Sequence, residues 1–358
     1  MKYRRIKRNI SPQVKALADA QKIAFAPLTF QAASSMIDLG ILDLLENNPS
    51  EIDEICKNCS VSKYTAETLM QVGTASGIVV NNNGLYSNTA VAQALLKNEM
   101  TKVNFNFVKD VCYLGASELT KSFKEEEPVG LKKFIGDHKT IYEMLQILPE
   151  NIKKSWFEFD HFYSDRCFEE ALKIIFQKPV KQIFDIGGNT GKFERACLKF
   201  SNECKVNMID LPENIDAAKK NFLDDRLNFY GIDVLDKNSK FPEISGAVFM
   251  SQFLDCFSEE QIISILSNIK NSMTDDTRIY ILEPFTDKQI FDGATYSLVH
   301  ISLYFTCMAN GKSKMYTEKR MLELIEKAGL KLNKKYENVG VHDYTLLEVV
   351  CSQSNEFS

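Results

Sequence analysis

The segment DIGGNTG, residues 185–191, constrains this chain more than any other part of its sequence. It ends an apolar run over 180–186 that is typical of a buried strand, and it opens a stretch with helical periodicity. Glycines at such a turn let the backbone approach a ligand closely, and the helix N-terminus offers unpaired N–H groups. The spacing is G-G-x-x-G, which differs from the G-x-G-x-x-G of dehydrogenase loops. The segment therefore predicts a ligand-binding turn of a different kind.

From residue 177 onward, strand-like runs alternate with helical stretches, as in a doubly wound parallel sheet. The predicted strands cover 180–186, 205–210, 227–233, 246–251 and 278–284. Two last strands, around 330–336 and 344–350, have no helix between them and are expected to pair as an antiparallel hairpin at one edge. The pattern predicts an α/β domain over 177–358, with a Rossmann-like sheet.

The preceding residues favour a mostly helical domain over 1–120 and a helical linker over 121–176. Apolar positions recur at helical spacing over 11–47, with Pro27 as the one interruption, so we expect two helices or one kinked helix. The apolar surface between Phe25 and Met36 suits a dimer contact, or burial within one monomer.

Residues 51–90 show the order of a winged helix: two helices, then a strand pair around the turn Asn81-Asn82-Asn83-Gly84. A DNA-binding helix needs basic side chains for phosphate contacts. The second helix, KYTAETLMQVGTAS, has one Lys, one Glu and no Arg. The pattern therefore favours a structural wing that does not bind nucleic acid.

Charge and cysteine content narrow the function further. The formal net charge is −5 and the pI is about 5.6, so no basic field attracts nucleic acid or acidic lipid. The nine cysteines lack regular spacing, which is typical of free thiols in a reducing compartment. We find neither a signal peptide nor an 18-residue apolar run. These features predict a cytoplasmic protein with a small-molecule partner, no membrane contact and no metal site.

Three acidic residues stand at the carboxyl ends of successive predicted strands: Asp185, Asp210 and Asp233. Asp185 beside the loop repels a pyrophosphate but suits the ammonium of an amino acid. Asp210 can accept hydrogen bonds from ribose hydroxyls, and Asp233 can meet an adenine amino group. Each acid alone is as often a helix cap or a solvated loop residue. Together they predict a site for an adenosyl amino acid.

The sequence resembles the small-molecule O-methyltransferases of plant and bacterial type, a family of class I methyltransferases. The resemblance runs over almost the whole chain, through LGILDLL, GIVV with GLYSNT, FDHFYSD, DIGGNTG, IDLPENI, FLDCFSEEQ, ILEP and TEKRMLELIEKAGL. It implies S-adenosylmethionine as cofactor, a helical winged-helix-like dimerisation domain, a homodimer, and a small, aromatic acceptor.

The same resemblance implies cofactor contacts, and it places Gly187 and Gly188 of the loop against the methionine part. It also implies Asp210 on the ribose, Asp233 near the adenine amino group, and Tyr163 at the cofactor's edge. The remaining expected cofactor residues are Asp185, Gly191, Leu211, Val234 and Ser251.

The catalytic base departs from the family pattern. The usual L-H-D-W segment, whose His deprotonates the substrate, reads LDCF here, so Asp255 stands at the His position. Glu283 matches the carboxylate that orients this His. An ordinary Asp titrates at about 3.9, a His at about 6.5 and a phenol at about 10. We hypothesise that Asp255 is the base, with its pKa raised by burial and by Glu283; alternatively, it caps the helix that begins near Ser258, and orientation supplies the rate.

We expect four further residues to line the acceptor pocket: His161, His300, Tyr304 and Met308. A flat apolar acceptor suits a pocket of aromatic and methionine side chains, although each His is more often a packing residue. The sequence thus predicts O-methylation of a small aromatic or quinone-like hydroxyl. Methylation of nitrogen or carbon, or a relative that binds the cofactor without methylating, stay open as alternatives.

Overall fold

A computed structural model describes residues 11–236 and 238–352, and the chain divides into two compact units between Phe105 and Asn106. The predicted boundaries at 120 and 176 stay predictions. The first unit is mostly helical. Its elements are α1 (Pro12–Asp38), α2 (Ile41–Asn47), α3 (Ile52–Cys59), α4 (Lys63–Ala75), β1 (Val79–Asn82), β2 (Leu85–Asn88), α5 (Ala90–Lys97) and the start of α6 (Glu99–Phe107).

Helix α1 continues through Pro27, and the chain breaks instead at Gly40, which adopts φ 71°. The hairpin β1–β2 turns at Asn83-Gly84, where both residues have positive φ, as a tight two-residue turn requires. Among the described residues, no single helix is long and apolar enough to cross a membrane; α1 with α2 passes by length and composition only as a pair bent by 69°.

The second unit begins with helices that precede its sheet. They are a π-helical segment (Val108–Cys112), a 3₁₀ turn (Gly115–Glu118), α7 (Leu119–Glu125), α8 (Val129–Phe134), a 3₁₀ turn (Ile141–Met144), α9 (Glu150–Ser164), a 3₁₀ turn (Asp165–Cys167) and α10 (Phe168–Ile175).

The sheet follows, with helices between its strands. The order along the chain is β3 (Gln182–Ile186), α11 (Lys192–Phe200), β4 (Lys205–Asp210), α12 (Pro212–Asn221), β5 (Leu227–Gly231), β6 (Ala247–Ser251), a 3₁₀ turn (Leu254–Cys256), α13 (Glu259–Ser272), β7 (Arg278–Glu283), α14 (Asp292–Tyr304), a π-helical segment (Phe305–Ala309), α15 (Glu318–Lys327), β8 (Leu330–Val339) and β9 (Tyr344–Cys351).

The seven strands lie in the order β5-β4-β3-β6-β7-β9-β8. Strands β3 to β7 are parallel, whereas β9 pairs antiparallel with β7 and with β8. This confirms the doubly wound sheet and its terminal hairpin. The chain reverses its direction of growth between β3 and β6, and open α/β sheets bind ligands at such a switch point.

Both faces of the sheet are buried, which fits its near-continuous apolar strands. On one face, the ring of Phe249 stacks on Phe193 at 4.2 Å and meets Phe168 edge-on at 6.4 Å. The opposite face packs Phe184 and Val248 against α13 and α15. Helices on both sides thus hold the ends of β3 and β6 in fixed positions.

Candidate active site

The glycine loop after β3 has a backbone conformation and close neighbours that leave no room for side chains. Gly187 and Gly191 adopt φ 87° and 80°, values that L residues rarely reach. A Cβ on Gly187 would lie 2.4 Å from the ring of Phe253, and a Cβ on Gly188 would lie 2.3 Å from Glu194 Oε1. The loop therefore presents bare backbone at the start of α11.

A cleft opens at the switch point and holds about 470 Å³ of space not occupied by atoms, open solvent at its mouth included. The glycine loop forms one wall, Ser251 and Gln252 after β6 form another, and α9 contributes Asp160 and His161. Several buried polar atoms here have no hydrogen-bond partner among the described residues: Asn189 Oδ1, Thr190 Oγ1, Ser251 Oγ and Gln252 Nε2. Unsatisfied buried groups are costly, so their presence indicates a polar ligand.

Asp185 lines this cleft and is only 3% exposed. Burial raises its pKa to about 7, the neighbouring carboxyl of Glu194 opposes the rise, and repulsion by Asp210 adds to it. A carboxyl group in this position favours a cationic ligand group, because a cation restores the charge that burial disfavours.

Asp210 is fixed at the end of β4 by three donors. Its Oδ2 accepts from the backbone N of Asn189 at 2.7 Å, and its Oδ1 accepts from Leu211 N at 2.7 Å and Asn214 Nδ2 at 2.8 Å. A carboxylate has about four acceptor sites, so one remains for a hydroxyl group. The bond from Asn189 links the glycine loop to β4.

Asp233 lies on the exposed loop after β5, where its Oδ1 accepts from Leu235 N at 2.9 Å, and Val234 beside it is buried. Neither residue belongs to the lining of the cleft, and the same is true of Asp210 and Leu211. The four stand together beyond it at the ends of β4 and β5. Their adenosine-binding roles stay predictions.

Helix α9 turns a different side toward the cleft than the sequence suggested. Tyr163 packs its ring against Phe159 and Phe162, at 5.0 Å from each, and is not part of the cleft lining. Asp160 lines the cleft instead, and its Oδ2 accepts from Asn189 Nδ2 at 2.9 Å. Burial raises the pKa of Asp160 to about 6.

His161 also lines the cleft, so the structure brings it to the cofactor side and not to an acceptor pocket. Its Nδ1 lies 3.4 Å from Asp165 Oδ1 and 3.6 Å from Asp160 Oδ2. Lys192 at the start of α11 pairs with the other oxygen of Asp165 at 2.6 Å. These charges tie α9 to the glycine loop.

Asp255 and Glu283 are a buried acid pair, 5% and 2% exposed, and they line a smaller cavity of about 160 Å³. Glu283 Oε1 accepts from the backbone N of Phe253 at 3.1 Å and of Leu254 at 2.9 Å, whereas its Oε2 is buried and has no described partner. The cap of α13 is Ser258, which accepts from Gln261 N. The alternative in which Asp255 caps this helix is therefore wrong.

Burial raises the pKa of Asp255 to about 7. The like charge that adds most to this rise is Asp160, and the thiol of Cys256, 3.4 Å from Asp255 Oδ1, opposes it. Burial, followed by repulsion from Asp255, raises the pKa of Glu283 well above its usual value. Both acids therefore hold a proton more strongly than exposed carboxyls do, and the pKa of Asp255 lies near neutrality.

A buried group of aromatic and sulfur side chains, which we call the aromatic group, lies next to Asp255. Tyr142 and Tyr316 both interact electrostatically with this carboxyl. Trp156 Nε1 donates to Tyr304 Oη at 2.8 Å. The members of the aromatic group are Tyr142, Trp156, Phe159, Cys256, Tyr304, Met308 and Met315.

His300 is not brought into the aromatic group. It lies on the exposed part of α14, where its Nδ1 is 2.7 Å from the backbone O of Tyr296 and its ring lies against the Tyr296 ring. Burial changes along the axis of this helix, because only its last turn, at Tyr304, enters the core. Spacing along the sequence predicts which residues share a face of a helix, but it does not predict which part of the helix is buried in the core.

The sequence analysis missed four residues: Asp160 and Gln252, which line the cofactor cleft, Tyr142, which interacts with Asp255, and Glu194, which lies against Gly188. Asp160 adjoins His161 in the FDHFYSD segment, and the helical periodicity of α9 could have indicated that it faces the cleft. Glu194 stands in the first turn of α11, where acids normally complement the helix dipole at the surface. Nothing local reveals that it is buried.

A family model, described as an O-methyltransferase domain, matches residues 145–331, just over half of the chain. The chain belongs to this family. A second model, described as a Dimerisation2-like domain, matches residues 18–86. Among the described residues, no group of three His, Cys, Asp or Glu side chains could hold a metal ion.

Similar proteins agree with this assignment. An L-tyrosine C(3)-methyltransferase of Streptomyces lavendulae is 21% identical over 89% of this chain and 88% of its own. The structure of mitomycin 7-O-methyltransferase is 15% identical, with a TM-score of 0.70 over 95% of this chain and 99% of its own. Human N-acetylserotonin methyltransferase, in complex with S-adenosylmethionine, is 16% identical, with a TM-score of 0.66 over 96% and 99%.

The enzyme is an S-adenosylmethionine-dependent methyltransferase, and the cleft fits this cofactor. The glycine cradle leaves room for the amino-acid part, the unsatisfied atoms of Thr190 and Ser251 offer polar contacts, and Asp185 suits an ammonium group. The cofactor supplies an electrophilic methyl group on a sulfonium.

Gly188→Ala tests the cradle. Because the new Cβ meets Glu194 and Met208 at 2.3 Å and 2.8 Å, the loop must shift, and we expect cofactor affinity to fall about tenfold or more. Isothermal titration calorimetry with S-adenosylhomocysteine measures it. Gly293→Ala is the control, since a Cβ there meets nothing within 4 Å; equal affinity in both variants would refute the cradle.

Proposed function

We propose that this enzyme methylates a hydroxyl oxygen of a small aromatic or quinone-like metabolite by direct displacement at the cofactor's methyl group. The observation that carries the proposal is Asp255, a buried acid that interacts with Asp160 of the cofactor cleft and with Tyr142 of the aromatic group. A base between a methyl donor and a flat apolar pocket is what methylation of a phenol requires.

This chain has Asp255 where the family usually has a catalytic His, and burial raises the basicity that an ordinary Asp lacks. An Asp with a pKa of about 3.9 is a weak base toward a phenol at about 10. With its pKa raised to about 7, Asp255 matches the basicity of an ordinary His, at about 6.5. A general base of this kind contributes roughly 10²–10⁴-fold in rate.

Each part of the site has a proposed role in the reaction. Asp255 takes the hydroxyl proton at a carboxylate oxygen, and Glu283 stays protonated while its Oε1 holds the turn over 253–254 in place. Tyr304, held by Trp156, and Met308 orient the acceptor ring and exclude water. His161 holds α9 through Asp165, whereas His300 is exposed on α14 and has no proposed role in the reaction.

The cofactor contacts are proposed as well. Asp185 receives the ammonium group, the backbone of Gly187, Gly188 and Gly191 borders the methionine part, and Ser251 bonds the cofactor through its hydroxyl. The proposed adenosine side consists of Asp210, Leu211, Asp233 and Val234, with Tyr163 at its edge.

A second candidate is transfer to a ring carbon next to the hydroxyl. It is favoured by the L-tyrosine C(3)-methyltransferase, which matches this chain over 89% of its length. A phenolate is nucleophilic at oxygen and at the adjacent ring carbons, so Asp255 would serve both reactions. Methylation of nitrogen has no comparable support.

We further infer a homodimer through α1. Only Ala33, Ser34 and Met36 of this 27-residue helix are buried, whereas Ile23 and Leu28 are 77% and 65% exposed. An apolar face of this size needs a partner, and residues 18–86 match a Dimerisation2-like domain. This favours the dimer contact over burial within one monomer.

Incubation of the enzyme with S-adenosylmethionine and a panel of phenols tests the function. We expect S-adenosylhomocysteine to form in step with one methylated product, and NMR to show whether the methyl group lies on oxygen or carbon. Reactions without an acceptor are the control. If the enzyme bound the cofactor but turned over no phenol, the proposed acceptor class would be refuted.

Asp255→Asn tests the base. In the unaltered enzyme, kcat should rise through about pH 7, because only the carboxylate accepts a proton and its pKa is about 7. The variant should lose this rise and about 10²-fold or more of kcat, as measured from pH 5.5 to 9. The exposed Asp275→Asn is the matched control. Near-normal turnover in Asp255→Asn would discard the assignment.

Ile23→Asp tests the dimer. A charge at the centre of the exposed α1 face should convert the dimer to monomer, as read by light scattering after size-exclusion chromatography. Leu223→Asp, at a position 75% exposed in the second unit, should leave the dimer intact. A monomeric unaltered protein would contradict the inference.

A further inference from the structure

Beneath the glycine loop, the protein buries an acid that the proposed mechanism does not use. Glu194 on α11 is 0% exposed, and no described hydrogen-bond partner satisfies either of its oxygens. Its Oε1 touches the space beside Gly188, and its carboxyl interacts directly with that of Asp185. A buried carboxyl without a partner is strongly disfavoured in its ionised form.

Two carboxyl groups at one buried site do not both ionise cheaply, so the pair retains a proton. Asp185 borders the open cleft, whereas Glu194 lies behind the loop and is enclosed completely. The proton therefore stays on Glu194, the member farther from water. Asp185 is left as the member that can become an anion facing the ligand.

Among the described residues, no basic side chain forms an ion pair with either of these two carboxyls. Asp210 from β4 acts on both carboxyls as a like charge, and the thiol of Cys197 on α11 faces both. The dominant interactions of the two carboxyls, as far as the described residues show, come from burial, from each other and from Asp210, and none comes from a basic side chain. Lys192 and His161 line the same cleft as Asp185, but both are paired with Asp165. A counter-charge for Asp185 is therefore left to a ligand.

We propose that Glu194 is a positioning residue for the cofactor: as a neutral acid it donates a hydrogen bond to Asp185 and thereby holds Asp185 as the carboxylate that receives the cofactor's ammonium group. This inference rests on the proposed contact between Asp185 and the ammonium. Burial raises the pKa of Glu194 well above its usual value and that of Asp185 to about 7, and the neighbouring Glu194 carboxyl lowers the latter.

The arrangement couples cofactor binding to proton release. Below about pH 7, Asp185 of the free enzyme carries a proton, and an incoming ammonium group favours its loss. Affinity should therefore rise with pH up to about 7 and then level off. The α-amino group of a ligand loses its own proton at about 8, so measurements belong between pH 5.5 and 7.5.

Calorimetry of S-adenosylmethionine and S-adenosylhomocysteine with the full chain, in two buffers of different ionisation enthalpy, measures affinity and proton release together. In the unaltered enzyme we expect affinity to rise toward about tenfold per pH unit below the midpoint, with release of up to about one proton. Glu194→Gln should keep this profile, because the amide still donates. Glu194→Met removes the donor and should shift the midpoint upward by about one unit, which weakens binding about tenfold at pH 6.

The exposed Glu203→Gln, just beyond α11, is the matched control and should behave like the unaltered enzyme. Thermal unfolding checks that each variant folds; if Glu194→Met does not, the Gln variant and the proton count of the unaltered enzyme still decide. Binding without proton release, or equal losses in the Gln and Met variants, would overturn the role of Glu194. No binding of either ligand to the unaltered enzyme would instead refute the cofactor site itself.

Discussion

Burial of acidic side chains at the C-terminal ends of the parallel strands governs the chemistry of this protein. Burial removes water from these side chains and so raises their pKa values. Asp185 near the end of β3 and Asp255 after β6 each have a pKa raised to about 7, and burial is the largest cause for both. An acid that titrates near neutrality can serve as a base or as the counter-charge of a cation. The sheet creates this condition because helices cover both of its faces, so that residues at its edge face enclosed clefts.

The site contains two acid pairs, Asp185 with Glu194 and Asp255 with Glu283, and burial affects both in the same way. In each pair one carboxyl is enclosed more fully, Glu194 beside Asp185 and Glu283 beside Asp255, and burial raises its pKa well above the usual value. In the proposed mechanism its partner, with a pKa of about 7, is the acid that meets a ligand. Asp160 lies between the pairs in electrostatic terms, since it lines the cofactor cleft and also acts on Asp255. Asp160 therefore couples the cofactor cleft electrostatically to the proposed base, Asp255.

In the proposed mechanism, burial compensates for the departure of Asp255 from the pattern of the family that the sequence resembles. The family pattern has a His where this chain has Asp255, and by ordinary pKa values this exchange weakens the base by more than about two units. The enclosed position restores that difference. Burial is the largest cause, Asp160 adds repulsion, and Asp255 and Glu283 also repel each other, so the expected causes account for part of the rise. The basicity proposed for Asp255 therefore depends on its surroundings as much as on the side chain itself.

The sequence by itself determined the order of strands and helices, the glycine loop, the terminal hairpin and the family, because periodicity and turn chemistry are local properties. Only the tertiary structure decided that Asp160 and not Tyr163 lines the cleft, that His300 stays at the surface, and that Ser258 rather than Asp255 caps α13. It also decided that Glu194 is buried. The depth of a side chain, and hence its proton affinity, depends on residues far away in sequence that exclude water, and no local pattern encodes that.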